Sequence, residues 1–526
     1  MMTLVEKHQE LSWSLAQDIA EDQDYWRLHF NAARNYRSRI DDAIERYQET
    51  CIRYDITPDS TALMVVDHTL GLYDRLLETF EQKLDPEAGH TAKTHIENTA
   101  RQLSLLRSSI ARSPAWVCGA YDQSTLAQHF TASNYDCEIK YDRYESGRAK
   151  ELETQIGNLM NFGDHTDVLM TSSGMAAYHV IDAYLRKDVL KANDAVLIVG
   201  DLYSEVTESA LKGFQGNTNR SKSTDIDAIV KEIEDQNARV VYLDYMENRV
   251  GMRFCDVEKV IGKFSEKHPD REITFVIDGT MTSGGDQPFK AARSDNVEVL
   301  YHSSCCKYLQ FGQDVTSAGF LAFSQNMRST FDDIRRAQGA ILYDQNAWAF
   351  PDVSAPAYHM RMKRMTRNAL VTAEVISGYH ELKGFVEPVF PGLLSHPNHD
   401  SAQHHTCLGN LMTFKFNTDY DPDKDALNRF ITDYLKQAKR DKIDIVNGES
   451  FGFGIPRIYV GWTPSNNFKP FLRLSAGDRD IETVQKTAHS LAKQLIGFRA
   501  ALDLKNVPAI TKKRIVAMLM HSKPDF

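Results

Sequence analysis

Cysteine is sparse in this chain and poorly placed for pairing: the seven present include no C-x-x-C spacing. That pattern builds no disulfide framework and fits reduced thiols in a cytoplasmic compartment. No apolar run approaches membrane-spanning length, and the segment Met1 to Glu10 holds no apolar signal core. Positive charge is in deficit: 61 Lys and Arg against 72 Asp and Glu give a net charge of −11. A general nucleic-acid binder needs the opposite balance. Internal repeats and low-complexity segments are also missing. What is there is ordinary globular composition, 42% hydrophobic and 25% charged, over 526 residues. That is too long for one core and predicts roughly two to four domains.

Residues 1–115 read as helical. Leu11, Leu15 and Ile19 recur at helical spacing, continued by Trp26 and Phe30. Pro58-Asp59-Ser60 starts a second helix with Leu70, Tyr73, Leu77 and Phe80 on one stripe. A third fits Thr91 to Ile110 and stops before Ser113-Pro114. This extension is expected to pack on the body or to build an oligomer interface. Over 116–345 the pattern changes to short strands alternating with helices: Val168 to Met170, Ala195 to Val199, Arg239 to Leu243, Ile273 to Ile277 and Val297 to Tyr301. Alternation of this kind predicts an α/β domain, a mostly parallel sheet flanked by helices. A long basic helix, Met360 to Ile376, opens a smaller α+β domain over 346–500, and 501–526 read as a tail.

Lys307 follows the last of those strands, with Ser304 and Cys306 beside it. A lysine amine becomes nucleophilic when its pKa is lowered, so this position suits a Schiff base to an aldehyde cofactor, although most lysines are solvated surface residues. Other segments supply what pyridoxal phosphate needs. Ser173-Gly174-Met175 lies between a strand and a helix, where free backbone N–H groups bind phosphate; an ordinary helix cap would use Ser173 as well. Asp278 ends a strand and would keep a pyridine nitrogen protonated, unless it only caps the turn into Gly279-Thr280. Tyr203 follows a strand and offers a stacking face and a hydroxyl, or is simply a half-buried loop tyrosine. Arg473, mid-strand among apolar neighbours, needs an anion: a substrate carboxylate or an internal partner.

In this order the blocks resemble the Cys/Met-metabolism (trans-sulfuration) family of fold type I enzymes dependent on pyridoxal phosphate, over roughly 115–497. Tyr141-Asp142-Arg143 with Leu152-Glu153 resembles the family's Y-x-R…L-E block. Ser173 to Ala177 matches its phosphate cradle, Tyr203 its stacking tyrosine, and Asp244…Asn248 its E-x-x-x-N block. Asp278-Gly279-Thr280 resembles D-N-T, and Ser304 to Tyr308 resembles S-x-T-K-Y. Arg361-Met362…Asn368-Ala369 and Pro391 to His399 match further family segments, and Ser450-Phe451-Gly452 and Arg473 to Gly477 the two elements that hold the substrate carboxylate.

The resemblance implies a set of roles. Lys307, Tyr203 and Asp278 are catalytic. Tyr141, Arg143, Ser173, Gly174, Met175, Tyr203, Asn248, Asp278, Thr280, Ser304, Cys306 and Lys307 bind pyridoxal 5′-phosphate, with Tyr141 and Arg143 reaching into the neighbouring subunit. Arg473, Ser450 and Tyr141 bind substrate. The assembly implied is a homodimer or homotetramer with shared active sites and no nucleic-acid or membrane partner. The histidines 396, 399, 404 and 405 sit in a family segment that carries no metal, so none is expected. Departures cluster near the cleft: Ser146-Gly147-Arg148 replaces N-P-T, Cys306 a threonine, Asn248-Arg249 an Asn-Pro pair, and Ser204-Glu205 the glycines after the tyrosine. Arg148, Arg249 and Glu205 are expected to add charge to that cleft. The run Ser450 to Tyr459 is closer to the cystathionine γ-synthase-like branch. The expected reaction is therefore γ-replacement, with a Cγ leaving group, a second nucleophilic substrate and a vinylglycine-type intermediate. A β- or γ-eliminating lyase is the alternative, and a non-catalytic scaffold a third.

Overall fold

In a computed structural model, the described residues are 15–53, 60–84, 92–112, 146–213, 218–462 and 469–505, with the isolated positions 55, 57 and 144. Leu11, Pro58-Asp59, Thr91, Ser113-Pro114, Tyr141-Asp142-Arg143 and residues 506–526 lie outside them.

Three long helices come first: α1 (Leu15–Arg53), α2 (Ser60–Lys83) and α3 (Ala92–Arg112). Each buries one stripe at three- and four-residue spacing. On α1 it is Tyr25, Trp26, Phe30, Tyr36 and Ile40, on α2 Val66, Leu70, Tyr73 and Phe80, and on α3 Ile96, Ala100, Leu103 and Ile110. Phe30 stacks on Phe80 at 5.7 Å, and Trp26 meets Phe80 edge-on at 6.2 Å. Burying a side chain of this size contributes about 1.5–3 kcal/mol, so these helices are held by packing.

The body opens with α4 (Gly147–Met160), capped by Ser146, whose Oγ accepts from the Ala149 amide at 3.1 Å. There follow β1 (Thr166–Thr171), α5 (Gly174–Tyr184), β2 (Ala195–Val199), α6 (Ser204–Gly213), β3 (Thr218–Ser221), α7 (Ile226–Asp235), β4 (Ala238–Asp244), α8 (Val257–Lys267), β5 (Ile273–Asp278), β6 (Val297–Ser304) and β7 (Gly319–Ser324). The strands lie in the order β1-β7-β6-β5-β4-β2-β3. From β3 to β6 all pairings are parallel, whereas β7 is antiparallel to both β6 and β1. Strand β2 is buried end to end because helices cover both faces: Val196 and Ile198 join one core, Leu197 and Val199 the other.

Next come α9 (Arg328–Ala337), α10 (Asp344–Ala349) and α11 (Ala355–Ser377). Helix α11 begins five residues earlier than its periodicity predicts, because Pro356 suits the first helical turn. Its arginines do not face solvent: Arg361, Arg364 and Arg367 are all buried. A second sheet has the order β10-β11-β12-β9-β8 and is built from β8 (Val386–Val389), β9 (Leu411–Phe416), β10 (Val446–Asn447), β11 (Arg457–Gly461) and β12 (Phe471–Ser475). Helix α12 (Lys424–Arg440) packs on it, and α13 (Ile481–Lys505) packs along α11 and reaches the sheet through Phe498, 6.3 Å from the Phe416 ring. Among the described residues no helix is long and apolar enough to cross a membrane.

Candidate active site

The parallel strands aim their carboxyl ends at one crevice, the usual ligand position in open α/β sheets. Strand β6 leads into the turn Cys305-Cys306-Lys307. The Lys307 ammonium lies 2.9 Å from Ser450 Oγ and 5.2 Å from the centre of the Phe451 ring. Burial pushes its pKa down; the Cys306 thiol opposes this and Arg473 adds to it. A depressed amine is the nucleophile that Schiff-base chemistry needs.

One strand over, Asp278 ends β5, in register with Asp244 on β4 and His302 on β6. Its Oδ1 accepts from the Thr280 amide at 2.9 Å, and Thr280 Oγ1 accepts from the Ser304 amide at 3.0 Å. Burial, then the charge of Asp278, raises the pKa of Asp244, which favours its neutral form. Asp278, at the strand end beside it, is the carboxyl that a protonated ring nitrogen would face.

The first turn of α5 forms a cradle. Ser173 caps it, its Oγ accepting from the Ala176 amide at 3.0 Å. A helix start leaves its first N–H groups without intrahelical acceptors, here those of Gly174 and Met175. Gly174 has to be glycine: a Cβ there would lie 2.8 Å from Ser304 Cβ. This contact locks the cradle to the turn that carries Lys307. Cys306 turns its Sγ toward the carbonyls of Thr316 and Ala318, at 3.7 and 3.6 Å.

On the other side of Lys307, Arg473 in β12 is 7% exposed. It donates to Asn248 Oδ1 at 2.9 Å and to the Glu449 carbonyl, and lies 5.6 Å from the Tyr459 ring centre. Both hydrogen bonds end on uncharged oxygens; burial pushes the guanidinium's pKa down and the charge of Glu449 opposes this, so a carboxylate reaching its fork would form a charge-assisted pair. Tyr203 is 45% exposed, and its hydroxyl donates to Glu205 Oε1 at 3.1 Å. Burial and then Glu205 push its pKa up to about 12, with Glu449 and Asp278 adding to the shift. Lys307, Asp278, Tyr203, Asn248, Arg473, Ser450 and the Ser173–Gly174 cradle therefore form one connected site. A neutral anion cradle, a carboxylate at a strand end and a buried lysine between them fit an aldehyde-bearing phosphorylated pyridine.

A family model described as Cys/Met metabolism PLP-dependent enzyme matches residues 91–436. The chain belongs to that family. It is 30% identical over 405 residues to the bifunctional enzyme flvA of Aspergillus flavus, an alignment that takes in 76% of this chain and 48% of that protein. The chain thus spans about half the length of that relative. It is 23% identical to a cystathionine gamma-synthase of Haemophilus influenzae, over 72% of this chain and 92% of the relative. Among solved structures, cystathionine gamma synthase from Xanthomonas oryzae pv. oryzae, in complex with aminoacrylate and cysteine, superposes with a TM-score of 0.55 at 18% identity, covering 69% of this chain and 89% of that one. The fold is shared, and the enzymes of this family use pyridoxal phosphate as cofactor.

Not every charged departure lands at the cleft of this PLP-dependent family member. Arg148 is 2% exposed and pairs with Asp352 at 2.7 Å and Glu151 at 2.9 Å, so it is a structural residue of the body. A sequence shows the charge but not the acids that enclose it. Arg249 is partly buried, within reach of the charges of Asp201 and Glu247. Glu205 does reach the site, through Tyr203. Sequence reasoning also missed Glu449 and Tyr459 around Arg473; both lie in or beside the singled-out run Ser450 to Tyr459, which was the available signal. Of the four histidines, His396 bonds the Gly251 carbonyl at 3.1 Å, and His405 lies 3.2 Å from Asp286. Among the described residues no three His, Cys, Asp or Glu side chains gather as metal ligands.

Proposed function

We propose that the protein catalyses replacement at Cγ of an amino acid that carries a leaving group there, with a second, polar nucleophile as co-substrate. One observation carries this reading: the site is open beside Tyr203, where the acidic Glu205 accepts from the tyrosine hydroxyl, while Ser450 and the buried Arg473 stand with Lys307 at its inner end. Bound pyridoxal phosphate supplies an electron sink for charge at Cα and Cβ. The chain supplies the rest. Arg473 holds the substrate carboxylate through its fork, and Asn248 and the Glu449 carbonyl fix the plane of that fork. The Lys307 amine takes the Cα proton, since burial favours its neutral form. Asp278 holds positive charge on the ring nitrogen. Tyr203, whose pKa is raised to about 12, keeps its proton at neutral pH and is placed as an acid toward a departing group. The bond from Cγ to the leaving group breaks, the nucleophile bonds to the same carbon, and the leaving group departs with a proton.

The test is an O-acyl homoserine in heavy water, with and without nucleophile. Alone, it should exchange its Cα and Cβ protons and release 2-oxo acid slowly. A suitable nucleophile should divert the flux into a new γ-substituted amino acid. Full-rate release of 2-oxo acid and ammonia whatever nucleophile is offered would make the enzyme an eliminating lyase.

A further inference from the structure

The N-terminal helices do more than cover the body. Lys93, on α3, is 6% exposed, and its ammonium lies 2.8 Å from Asp478 Oδ1, 3.0 Å from the Asp478 carbonyl and 3.4 Å from Asp22 Oδ1 on α1. Asp478 follows the strand that carries Arg473. Its Oδ2 accepts from Arg361 Nε at 3.0 Å, and Arg361 Nη2 donates to the Gly452 carbonyl at 2.9 Å. Gly452 has φ +86° and is seated so tightly on the Lys307 carbonyl that a Cβ would collide with it. Two residues upstream of Gly452 is Ser450, on the Lys307 ammonium. The Asp478 amide also ties the Gly454 carbonyl at 3.1 Å, and the Glu97 carboxylate of α3 fills the space where a side chain at Gly454 would go.

The same helices touch the segment after the lysine. Phe311 has a left-handed backbone, φ +54°, uncommon for an aromatic residue. Its ring is held by His29 at 4.4 Å and Tyr25 at 5.8 Å, both on α1. Ser104 on α3 donates to Gln313 at 2.9 Å.

We propose that Lys93 is a positioning residue for the loop Glu449 to Gly454, and that the N-terminal helices thereby form the rear support of the amino-acid pocket. The physical reason is the sharing of one buried carboxylate. Asp478 divides its charge between Lys93 and Arg361. Burial works against its ionisation, but Lys93, Arg361 and Arg479 together hold its carboxyl far below the usual range. Without the ammonium, the Asp478 side chain and carbonyl lose their outer partner, and Arg361 is no longer held at the angle that reaches the Gly452 carbonyl. The loop that sets Ser450 and Glu449 then loosens while the cofactor cradle, built from α5 and β6, stays. The inference rests on assigning Arg473 and Ser450 to amino-acid binding.

The experiment uses full-length holoenzyme and L-norvaline, an amino acid with a Cγ and no leaving group there, titrated through the visible spectrum of the bound cofactor. Lys93→Met should raise the Kd for norvaline and the KM of the substrate about tenfold or more, with cofactor content and kcat much less affected. Lys93→Arg should restore most of the affinity. Arg37→Met is the control: Arg37 pairs with Asp74 at 2.8 Å inside the N-terminal helices, so its loss should lower Tm but leave the norvaline Kd within about twofold. An unchanged Kd in Lys93→Met, or an equal rise in Arg37→Met, overturns the proposal. If Lys93→Met does not fold, Lys93→Gln carries the same expectation. Arg473→Ala is run in parallel: if it leaves the norvaline Kd unchanged, the pocket assignment itself fails, whatever Lys93 does.

Discussion

Arg473 lies in a nearly closed setting where burial pushes its pKa down and the charge of Glu449 opposes this, while its two hydrogen bonds, to Asn248 and to the Glu449 carbonyl, end on uncharged oxygens. A substrate carboxylate would complete it. Removing the guanidinium in Arg473→Ala should therefore weaken amino-acid binding by about 2–5 kcal/mol, the cost of truncating one side of a desolvated charge pair. The cofactor should remain and the resting visible spectrum should hold, since Arg473 stands on the substrate side. Titration of the purified variant with a non-reacting amino acid checks this. Loss of cofactor with unchanged amino-acid affinity per folded site would make Arg473 a structural residue. Lys307 has an equally direct test. Borohydride reduction of the holoenzyme and peptide mapping should place the pyridoxyl label on Lys307 and on no other lysine, and Lys307→Ala should give no label after cofactor is added back.

At the scale of elements, helix α1 carries a titratable group into the packing against the Lys307 segment. Burial pushes the pKa of His29 down to about 4, with Asp352 opposing and Arg361 and Arg107 adding. The unfolded chain therefore takes up a proton near pH 6.5 and the folded one only near 4. Stability is full above about 6.5 and is lost as the pH falls from there through about 4. The linked loss is roughly 1–3 kcal/mol once the partial exposure of His29 is allowed for. Melting curves between pH 8 and 4.5 should show this decline, and His29→Leu should flatten it; an identical slope in the variant would remove His29 as its source. Elements were also what the sequence told best. Asp278, Lys307 and Ser173 were legible because each stands at a strand end or helix start that periodicity and capping locate within a residue or two. Arg361, Arg364 and Arg367 were not. A stripe of arginines in a sequence looks like a solvated basic face, and its burial depends on Asp478 and on Asp22, more than 300 positions away on α1. The link between Asn248 and Arg473 was hidden for the same reason: two residues with separate assignments meet only when the second sheet packs against the first.

For the whole molecule, the cradle poses a question of charge. Ser173, Gly174, Ser304 and Cys306 are all uncharged, and the start of α5 offers only about half an elementary charge, whereas a phosphate monoester near neutral pH carries nearly two negative charges. A guanidinium from elsewhere would complete the site. We propose that Arg143, which with Tyr141 lies outside the described residues, supplies it across a subunit interface, as the family resemblance implies. The consequence is a shared site, and it is tested by complementation. Lys307→Ala and Arg143→Ala should each be inactive alone. In a mixed dimer, one site unites both defects, while the other combines an intact Lys307 from one subunit with an intact Arg143 from its partner. Random reassortment into dimers should then restore roughly one quarter of wild-type activity, because half the dimers are mixed and each mixed dimer has one working site. If Arg143 serves the site of its own subunit, every site in the mixture keeps one defect and no activity returns. Verified mixed dimers without activity would therefore place Arg143 in its own subunit's site and leave the cradle's missing charge to be supplied from within one chain.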